Sequence, residues 1–360
     1  MSFYSLPIIY HHFSLDQMDM VLEKRNQTWN SLKKINESLQ IHIQSLSKFI
    51  YKFTHLWNFY STYNSLYHFV QSDEMSNYNI LMKHLIYMQD KMYFACIDMY
   101  YELDLFSYFK QNPMKTMYIG EGKGGFLYAL EHVKNIKDDT FIILTDEAFE
   151  MDIQDISYSF DIYNDMYNTD YMYQKMIQWK NSQDLIIIQK DYDPKQYVKQ
   201  LFKNICFAIA TQSYNGMLIF KINDIYEFCI VEMLYFLSLF YHQVHIYKPK
   251  IMEQHTNMKY IICTNFLYHN SDFVRDKCIH MMRKCDIHVT PIISILKTII
   301  PKHFVDEIIT INAIYGQQQM EHMNTTIQWM DSLQKQDYNP YKKMISKQCV
   351  KWLKDHDMIS

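Results

Sequence analysis

The scarcity of glycine is the feature that most narrows what this chain can fold into. The 360 residues include 6 glycines, where average usage of about 7% would give roughly 25. Four of the six lie between Gly120 and Gly125, and a fifth is Gly216. Because glycine lets a backbone turn tightly or approach a ligand closely, we expect function at these two places.

Composition indicates a folded protein of a reducing compartment. Hydrophobic residues make up 49% of the chain, and the length fits two domains or one large domain with additions. The net charge of −4 excludes an overall basic surface of the nucleic-acid-binding kind. The 7 cysteines show no CxxC pairs, which is untypical of a disulfide framework. With neither a signal-peptide pattern nor an apolar run of about 20 residues, we expect a cytoplasmic protein without membrane contact.

The first hundred residues predict a helical module. Ser14 and Gln17 form a capping-box pattern, and apolar residues then recur at helical spacing. No glycine or proline interrupts the chain between Pro7 and Pro113. Residues 14–105 are therefore predicted to form several helices.

After Pro113 the sequence predicts an α/β centre. Short β-rich runs alternate with helical segments, which is typical of a parallel sheet with crossover helices. A long apolar helix is expected over Ile225–Tyr241. The two strands after it leave too little room for a crossover, so they should pair antiparallel. The predicted strands are Thr116–Ile119, Thr140–Thr145, Leu185–Gln189, Met217–Ile222, Gln243–Tyr247 and Lys259–Thr264.

From Ser271 onward the sequence again predicts helices. The expected organisation is an N-terminal helical module over residues 1–92, an α/β domain over 93–268 and a C-terminal helical extension over 269–360. One C-terminal helix is rich in lysine and is expected to present a solvated face, with contact to RNA phosphates or an acidic partner as the alternatives. Its lysines are Lys342, Lys343, Lys347, Lys351 and Lys354.

The glycine cluster lies between an apolar strand and an amphipathic helix. In an open α/β sheet, such a turn lets a ligand approach the backbone. Gly120, Gly122 and Gly125 satisfy GxGxxG, whereas the spacing excludes a Walker A loop. A dinucleotide would use an acid about 20 residues on, here Asp146. A nucleoside-methionine ligand would instead place its ammonium near Glu121, and a purely structural turn is the third alternative.

The motif GEGKGGF, residues 120–126, resembles the EGPGGF-type motif of FtsJ-like ribose 2'-O-methyltransferases, particularly the cap-modifying branch of large cytoplasmic DNA viruses. Further segments resemble that family in the same order, over about half of the chain. They are Asn168–Asp170 at the adenine-contacting turn, Asp184–Asp191 at the strand before the catalytic aspartate, Asn215–Lys221 at the GGxxxxK strand, and Val244–Pro249 with Lys259–Phe266 at the closing hairpin.

This resemblance implies a Rossmann-like SAM-dependent methyltransferase sheet with an antiparallel closing hairpin, flanked by N- and C-terminal helical regions. It implies S-adenosyl-L-methionine (SAM) as cofactor, RNA as substrate, with capped mRNA favoured, and no metal. A viral origin would place the protein in the host cytoplasm or the virion. The cofactor-binding residues that it implies are Gly120, Glu121, Gly122, Gly124, Gly125, Phe126, Asp146 and Asp170.

The family's chemistry relies on a Lys-Asp-Lys-Glu tetrad, whose central lysine steers or deprotonates the ribose hydroxyl. Lys221 matches that lysine, and Gly216 is expected to shape the backbone leading to it. Asp191 matches the aspartate, with Asp193 as a competing assignment. The alternatives are a strand-end lysine that reaches solvent and acids that cap the helix beginning near Pro194.

The other two tetrad positions are replaced. Asp98 or Met99 stands where the first lysine is expected, with Lys91 about two turns earlier, and Met258 stands near the position of the glutamate. Two hypotheses follow: an RNA cap ribose methyltransferase with a diverged tetrad, or a degenerate methyltransferase-fold subunit that acts as scaffold or regulator in a capping or transcription assembly. The glycine turn favours the first, and the lost charges favour the second.

A zinc site is a weaker alternative near residue 280. The segment CIHMMRKCDIH places two cysteines and two histidines close together, but its spacing matches no strong metal pattern. Cys278 and Cys285 are equally consistent with the buried stripe of a helix. We therefore expect core residues rather than metal ligands.

Overall fold

The computed structural model describes residues 3–10, 14–22, 34–50, 70, 91–103, 113–120, 125–134, 136, 138–145, 157–162, 167–190, 192, 195–249, 255–287, 291–333 and 339–359. The strands are β1 (Phe3–Ser5), β2 (Met18–Leu22), β3 (Lys115–Gly120), β4 (Thr140–Thr145), β5 (Ser157–Ile162), β6 (Gln183–Gln189), β7 (Gln212–Ile222), β8 (Tyr241–Tyr247), β9 (Lys259–Phe266) and β10 (Ile292–Leu296). The helices are α1 (Glu37–Ile50), α2 (Lys91–Glu102), α3 (Gly125–Val133), α4 (Thr169–Gln178), α5 (Tyr197–Thr211), α6 (Phe228–Ser238), α7 (Asp272–Ile287), α8 (Lys302–Leu333) and α9 (Asn339–Asp355).

Eight strands form one sheet in the order β1-β8-β9-β7-β6-β3-β4-β5. Strands β3 to β7 pair in parallel, whereas β9 is antiparallel to both β7 and β8. The predicted α/β fold, an open and mostly parallel sheet with an antiparallel closing hairpin, is confirmed. The chain builds outward from β3 in one direction and from β6 in the other, so the switch point of the sheet lies between these strands.

Successive side chains along the central strands point to opposite faces of the sheet, and each face has its own hydrophobic core. On β6, Leu185 and Ile187 face α2, α3 and α9, whereas Ile186 and Ile188 face α4, α5 and α7. This period of two explains why the central strands read as continuous apolar runs, since both faces are covered. In the described part of the chain, no helix is both long and apolar enough to span a bilayer.

Two segments that were predicted to be helical instead form the strands of a second, smaller sheet. Ser14 does accept a hydrogen bond from the Asp16 amide at 3.4 Å, but it caps only a single 3₁₀ turn. The chain then forms β2, which pairs antiparallel with β10. Strand β10 lies in the region after residue 271 that was predicted to be helical. Met18 and Met20 are buried while Asp19 between them forms ion pairs with lysines. A period-two pattern thus overrides the capping signal.

The terminal regions contribute to the architecture of the centre. Strand β1 adds to the sheet beside β8, with Tyr4 opposite Ile246. Strand β5, which the sequence did not predict, forms the other edge. The apolar helix is shorter than predicted, Phe228–Ser238. The proposed domain boundaries remain predictions.

Glu232 links helix α6 to strand β10. It is the one charge in an apolar helix and is buried. Its two carboxylate oxygens accept hydrogen bonds from Ser294 Oγ at 2.8 Å and from the Ile295 amide at 2.7 Å. Since buried polar groups must be paired, this acid holds the smaller sheet against the helix.

Replacing Glu232 with leucine should lower the free energy of unfolding by about 1–3 kcal/mol, because the buried Ile295 amide loses its acceptor. Urea unfolding followed by circular dichroism measures the loss. Met233→Leu on the same helix conserves volume at a fully buried site and should cost less than about 1.5 kcal/mol. Equal losses in the two variants would contradict the role of the carboxylate.

Candidate functional site

The carboxyl ends of the parallel strands bring a row of residues together on the face covered by α2 and α3. Gly120 at the end of β3 pairs in register with Gln189 at the end of β6. Lys221, near the end of β7, pairs with Tyr260, which in turn pairs with Tyr247. Gln189 and Lys221 each directly follow residues that are register partners. We call these five positions the edge row.

Polar groups of the edge row are buried and hydrogen-bonded. The Tyr260 hydroxyl donates to Gln189 Oε1 at 3.1 Å, and the Tyr247 hydroxyl donates to Asp98 Oδ2 at 3.4 Å. Lys221 is 8% exposed and Asp98 3% exposed. Burial, and secondarily the charge of Asp98, raises the pKa of Tyr247 far above its usual value. The site therefore combines a buried lysine and a buried aspartate with two hydrogen-bonded phenols.

Helix α2 brings the carboxylate to this row. The resemblance left Asp98 and Met99 as alternatives for the first tetrad position. The Met99 side chain is fully buried, whereas Asp98 contacts Tyr247. The replacement of the first tetrad lysine by Asp98 remains a prediction from the resemblance. Met258 is partly buried in the core shared with α2 and α3, and Lys91's side chain lies outside the described residues.

Gly120 is needed for space. A Cβ at this position would lie 2.6 Å from the Gln189 carbonyl oxygen and 2.9 Å from the Tyr118 hydroxyl. Because the first contact is with main chain, no side-chain movement relieves it. Glycine here permits the close pairing of β3 with β6, directly beside the predicted ligand turn.

Gly216 has a different role from the one expected. Three extra residues interrupt the pairing of β7 with β6, since Gln183 pairs with Gln212 and Leu185 with Met217. A Cβ at Gly216 would lie 2.2 Å from Gln212 Nε2. The glycine therefore serves a bulge at the amino end of β7, roughly 16 Å along the strand from Lys221. Its predicted influence on the approach to Lys221 is wrong.

Two further predicted cofactor residues, Gly125 and Phe126, lie in the first turn of α3. Gly125 begins α3, and the Phe126 ring is buried, with centroids 5.6 Å from Tyr260 and 6.4 Å from Tyr100. Because this ring is buried, only the main chain of Phe126 could contact a ligand. The predicted residues that lie outside the described ones are Glu121, Gly122, Gly124, Asp146 and Asp191, with the competing Asp193.

Asp170 lies in the first turn of α4. Its amide donates to the Asn168 side chain, the N-cap, at 3.0 Å. Its exposed carboxylate accepts a hydrogen bond from Arg283 of α7 at 3.0 Å. Its assignment to the adenine remains a prediction.

The helix start after the glycine turn fits a SAM-type ligand. The first amides of a helix have no intrahelical partner and favour an anion, and the first turn of α3 has no acid that would compete. The methionine carboxylate of SAM matches that environment. Beside it, β4 ends at Thr145, one residue before the acid predicted to contact the nucleoside.

The zinc alternative gains no support. Cys278 and Cys285 are buried on α7, whereas His280 is exposed. Among the described residues, no three His, Cys, Asp or Glu side chains lie close enough to hold a metal. His288 lies outside the described residues.

A second buried polar cluster lies beyond β8 at the same edge. Lys248 is buried and donates to the Thr256 carbonyl, and Gln319 of α8 donates to the His255 carbonyl at 2.6 Å. Burial, together with the charge of Lys248, lowers the pKa of His255 to about 3 and that of His322 to about 4. Sequence reasoning missed this cluster because its members are distant in the chain.

Comparisons with known proteins agree with this reading in part. An 87-residue stretch is 29% identical to the cap-specific mRNA (nucleoside-2'-O-)-methyltransferase 2 of Drosophila melanogaster, and it covers 24% of this chain and 12% of that protein. No protein-family model matches the chain.

Similar solved structures include a ribosomal RNA methyltransferase from Plasmodium falciparum, with 19% identity, TM-score 0.34 and coverage of 48% of this chain and 97% of that chain. They also include spermidine synthase from Thermotoga maritima, with 15% identity, TM-score 0.31 and coverage of 48% and 61%. The CurJ carbon methyltransferase has 11% identity, TM-score 0.35 and coverage of 62% and 70%. The fold assignment accordingly rests on the strand order.

Gly120→Ala should lower the free energy of unfolding by about 1–3 kcal/mol, because its Cβ meets main chain. Gly316→Ala is the matched control, since there the new Cβ meets only the methyl end of Leu39, at 2.7 Å, and alanine favours a helix. Chemical denaturation of both variants measures the difference. A larger loss in the control would refute the steric argument.

Lowering the pH should destabilise the protein between about 6.5 and 4. His322 has a lowered pKa in the folded state, so the unfolded chain takes up its proton first as the pH falls. Above pH 6.5 both states are neutral and stability no longer depends on this group. Thermal melts across this range should show a shallower slope for His322→Gln, whereas the exposed His303→Gln should keep the wild-type slope.

Proposed function

We propose that this chain binds SAM at the carboxyl ends of β3 and β4 and methylates a ribose 2'-hydroxyl of RNA, with capped mRNA as the favoured substrate. The observation that most supports this proposal is the position of Lys221, which is buried in the edge row that begins at Gly120. The cap-specific relative from Drosophila melanogaster supports RNA as the substrate class.

The cofactor supplies an electrophilic sulfonium methyl group. The protein's share of the work is to bind, orient and exclude water. The turn from Gly120 to the start of α3 would hold the amino-acid end, with the helix amides facing the carboxylate. The carboxyl end of β4, next to β3, would hold the nucleoside.

Lys221 would position the accepting hydroxyl and assist the loss of its proton. A ribose hydroxyl is a weak nucleophile, so the alignment by a fixed group and the removal of its proton both contribute. Tyr260 pairs with Lys221 in register and is anchored to Gln189. This anchored neighbour restricts where the lysine stem can lie.

A second candidate function is that of a degenerate methyltransferase-fold subunit in a capping or transcription assembly. What supports it is Asp98, which is buried and stands at the position where the resemblance implies a lysine. In a buried site, reversing the sign of a charge changes the local electrostatics strongly. Such a subunit would keep the fold and an RNA or protein surface without transferring methyl groups.

Calorimetry with SAM and a methyl-transfer assay on a short capped RNA separate the two functions. The enzyme proposal expects SAM binding together with a methyl group on the 2'-oxygen, located by nuclease digestion and mass spectrometry. Tight SAM binding with no transfer to capped or uncapped RNA would favour the degenerate subunit. Failure to bind SAM would overturn any SAM-dependent role.

Lys221→Met should reduce methyl transfer by about 10²–10⁴-fold, the usual contribution of general acid–base assistance. Methionine fills a similar volume in this buried position, so the fold and the SAM affinity should persist. Lys302→Met, at an exposed position at the start of α8, is the control and should keep wild-type rates. Full activity in Lys221→Met would remove this lysine from the chemistry.

A further inference from the structure

Helix α9 presents a continuous row of lysines to solvent. Lys343, Lys347, Lys351 and Lys354 are all exposed. At 100° per residue they lie within an arc of about 80° on the helix, and the row is about 16 Å long. We call these four side chains the lysine face.

The lysine face concentrates positive charge in an acidic protein. Helix α9 contains five lysines and one acid, a net charge of +4, whereas the whole chain has −4. The remaining residues therefore carry −8. Among the residues that the structure describes, no ion pair involves any of the four exposed lysines. All four side chains are exposed, so their charge faces solvent.

The opposite side of α9 is fixed to helix α2. Cys349 and Leu353 are buried in the core that α2 and α3 share. The Trp352 ring lies 5.9 Å from the Phe94 ring. Beyond the end of α9, the His356 ring lies 4.9 Å from that of Tyr101. These contacts make α9 run parallel to α2.

Helix α2 runs toward the edge of the sheet that carries the candidate site. Near its start, Tyr93 contacts His132 at the end of α3, with ring centroids 6.3 Å apart. Near its end, Tyr100 contacts Phe126 at the start of α3, directly after the glycine turn. Since α9 is parallel to α2, Lys354 lies at the end of the lysine face nearest the candidate site.

We propose that the lysine face binds the phosphate backbone of the RNA substrate and leads the strand toward the edge row. This inference rests on the proposed function and specifies its substrate path. Lysines four residues apart on a helix are separated by about 6 Å, so the row can contact successive phosphates. Such contacts position a strand without reading its sequence, and they weaken as salt is added.

An RNA fits this surface better than an acidic protein does. A protein interface generally has an apolar centre within a polar rim. None of the exposed large hydrophobic side chains among the described residues belongs to α9. Of the described residues that flank the row, Gln348 and Asp355 are exposed, and Val350 packs against the core. A row of charges without an apolar centre is typical of polyanion binding.

The test compares two triple variants of the full chain with the same change in charge. Lys347→Gln, Lys351→Gln and Lys354→Gln alter the lysine face. Lys48→Gln, Lys115→Gln and Lys302→Gln alter exposed lysines on other elements. Fluorescence anisotropy with a 20-nucleotide single-stranded RNA, over a series of KCl concentrations, gives the affinity and its salt dependence. Calorimetry with SAM and a thermal melt report on the fold and the cofactor site.

The lysine-face variant should bind the RNA at least 10-fold more weakly at low salt. The slope of log affinity against log salt should fall by about 2, at about 0.7 for each phosphate that a lysine no longer neutralises. The control variant should remain within about 2-fold of the wild type, and both should keep the wild-type melting temperature and SAM affinity. In the methyl-transfer assay, the lysine-face variant should raise KM for the long capped RNA and leave it unchanged for a capped dinucleotide.

Several outcomes would overturn the inference. These are wild-type RNA affinity and salt slope in the lysine-face variant, an equal loss in the control variant, or a loss of poly-glutamate binding without a loss of RNA binding. The two proposals fail separately. If the protein binds RNA through the lysine face but does not bind SAM, the methyltransferase proposal fails and the RNA-binding surface stands. If methyl transfer to long RNA does not depend on these lysines, the RNA-binding surface fails and the methyltransferase proposal stands.

Discussion

The reversed strand β9 is the constraint on which the site depends. It lies between β7 and β8 and runs antiparallel to both, so its first residues, rather than its last, meet the carboxyl ends of the parallel strands. That reversal sets Tyr260 beside Lys221 and Tyr247. A parallel strand in this place would present its carboxyl-terminal residues here instead. The edge row therefore joins residues that span 140 positions of the chain, from Gly120 to Tyr260.

The edge row also shows how polar groups are buried in an apolar sheet without being left unpaired. Each is placed where a strand ends and where another polar group can meet it, as Tyr260 meets Gln189 and Tyr247 meets Asp98. Unpaired, any of these groups would cost about 1–3 kcal/mol on burial. The same pairings limit the motion of Lys221's neighbours. Hydrogen bonds of this kind hold neighbouring side chains in place, which favours precise orientation of a reacting group.

The sequence predicts the centre of the fold better than its margins. Four of the five parallel strands, all except β5, were predicted because each is an apolar run bounded by polar residues. The closing hairpin was predicted from loop length. Strand β2 was missed because Ser14 and Gln17 imitate a helix start, and only pairing with the distant β10 reveals the strand. Lys221 was predicted from the resemblance of its strand to the GGxxxxK motif. Gln189, Tyr247 and the Lys248 cluster were not, because their importance comes from register and burial.

The space around three of the glycines limits how far the scarcity of glycine can indicate a bound ligand. Gly120 avoids a main-chain oxygen, Gly216 avoids Gln212 in a bulge, and Gly316 lets α8 approach Leu39 of α1. Packing alone thus accounts for three of the six glycines. The inference from glycine scarcity to a bound ligand therefore narrows to Gly122, Gly124 and Gly125, which follow β3 in the sequence and of which Gly125 is the first residue of α3. In an open α/β sheet, a ligand turn needs glycine where a molecule must approach the backbone, between the carboxyl end of a strand and the next helix.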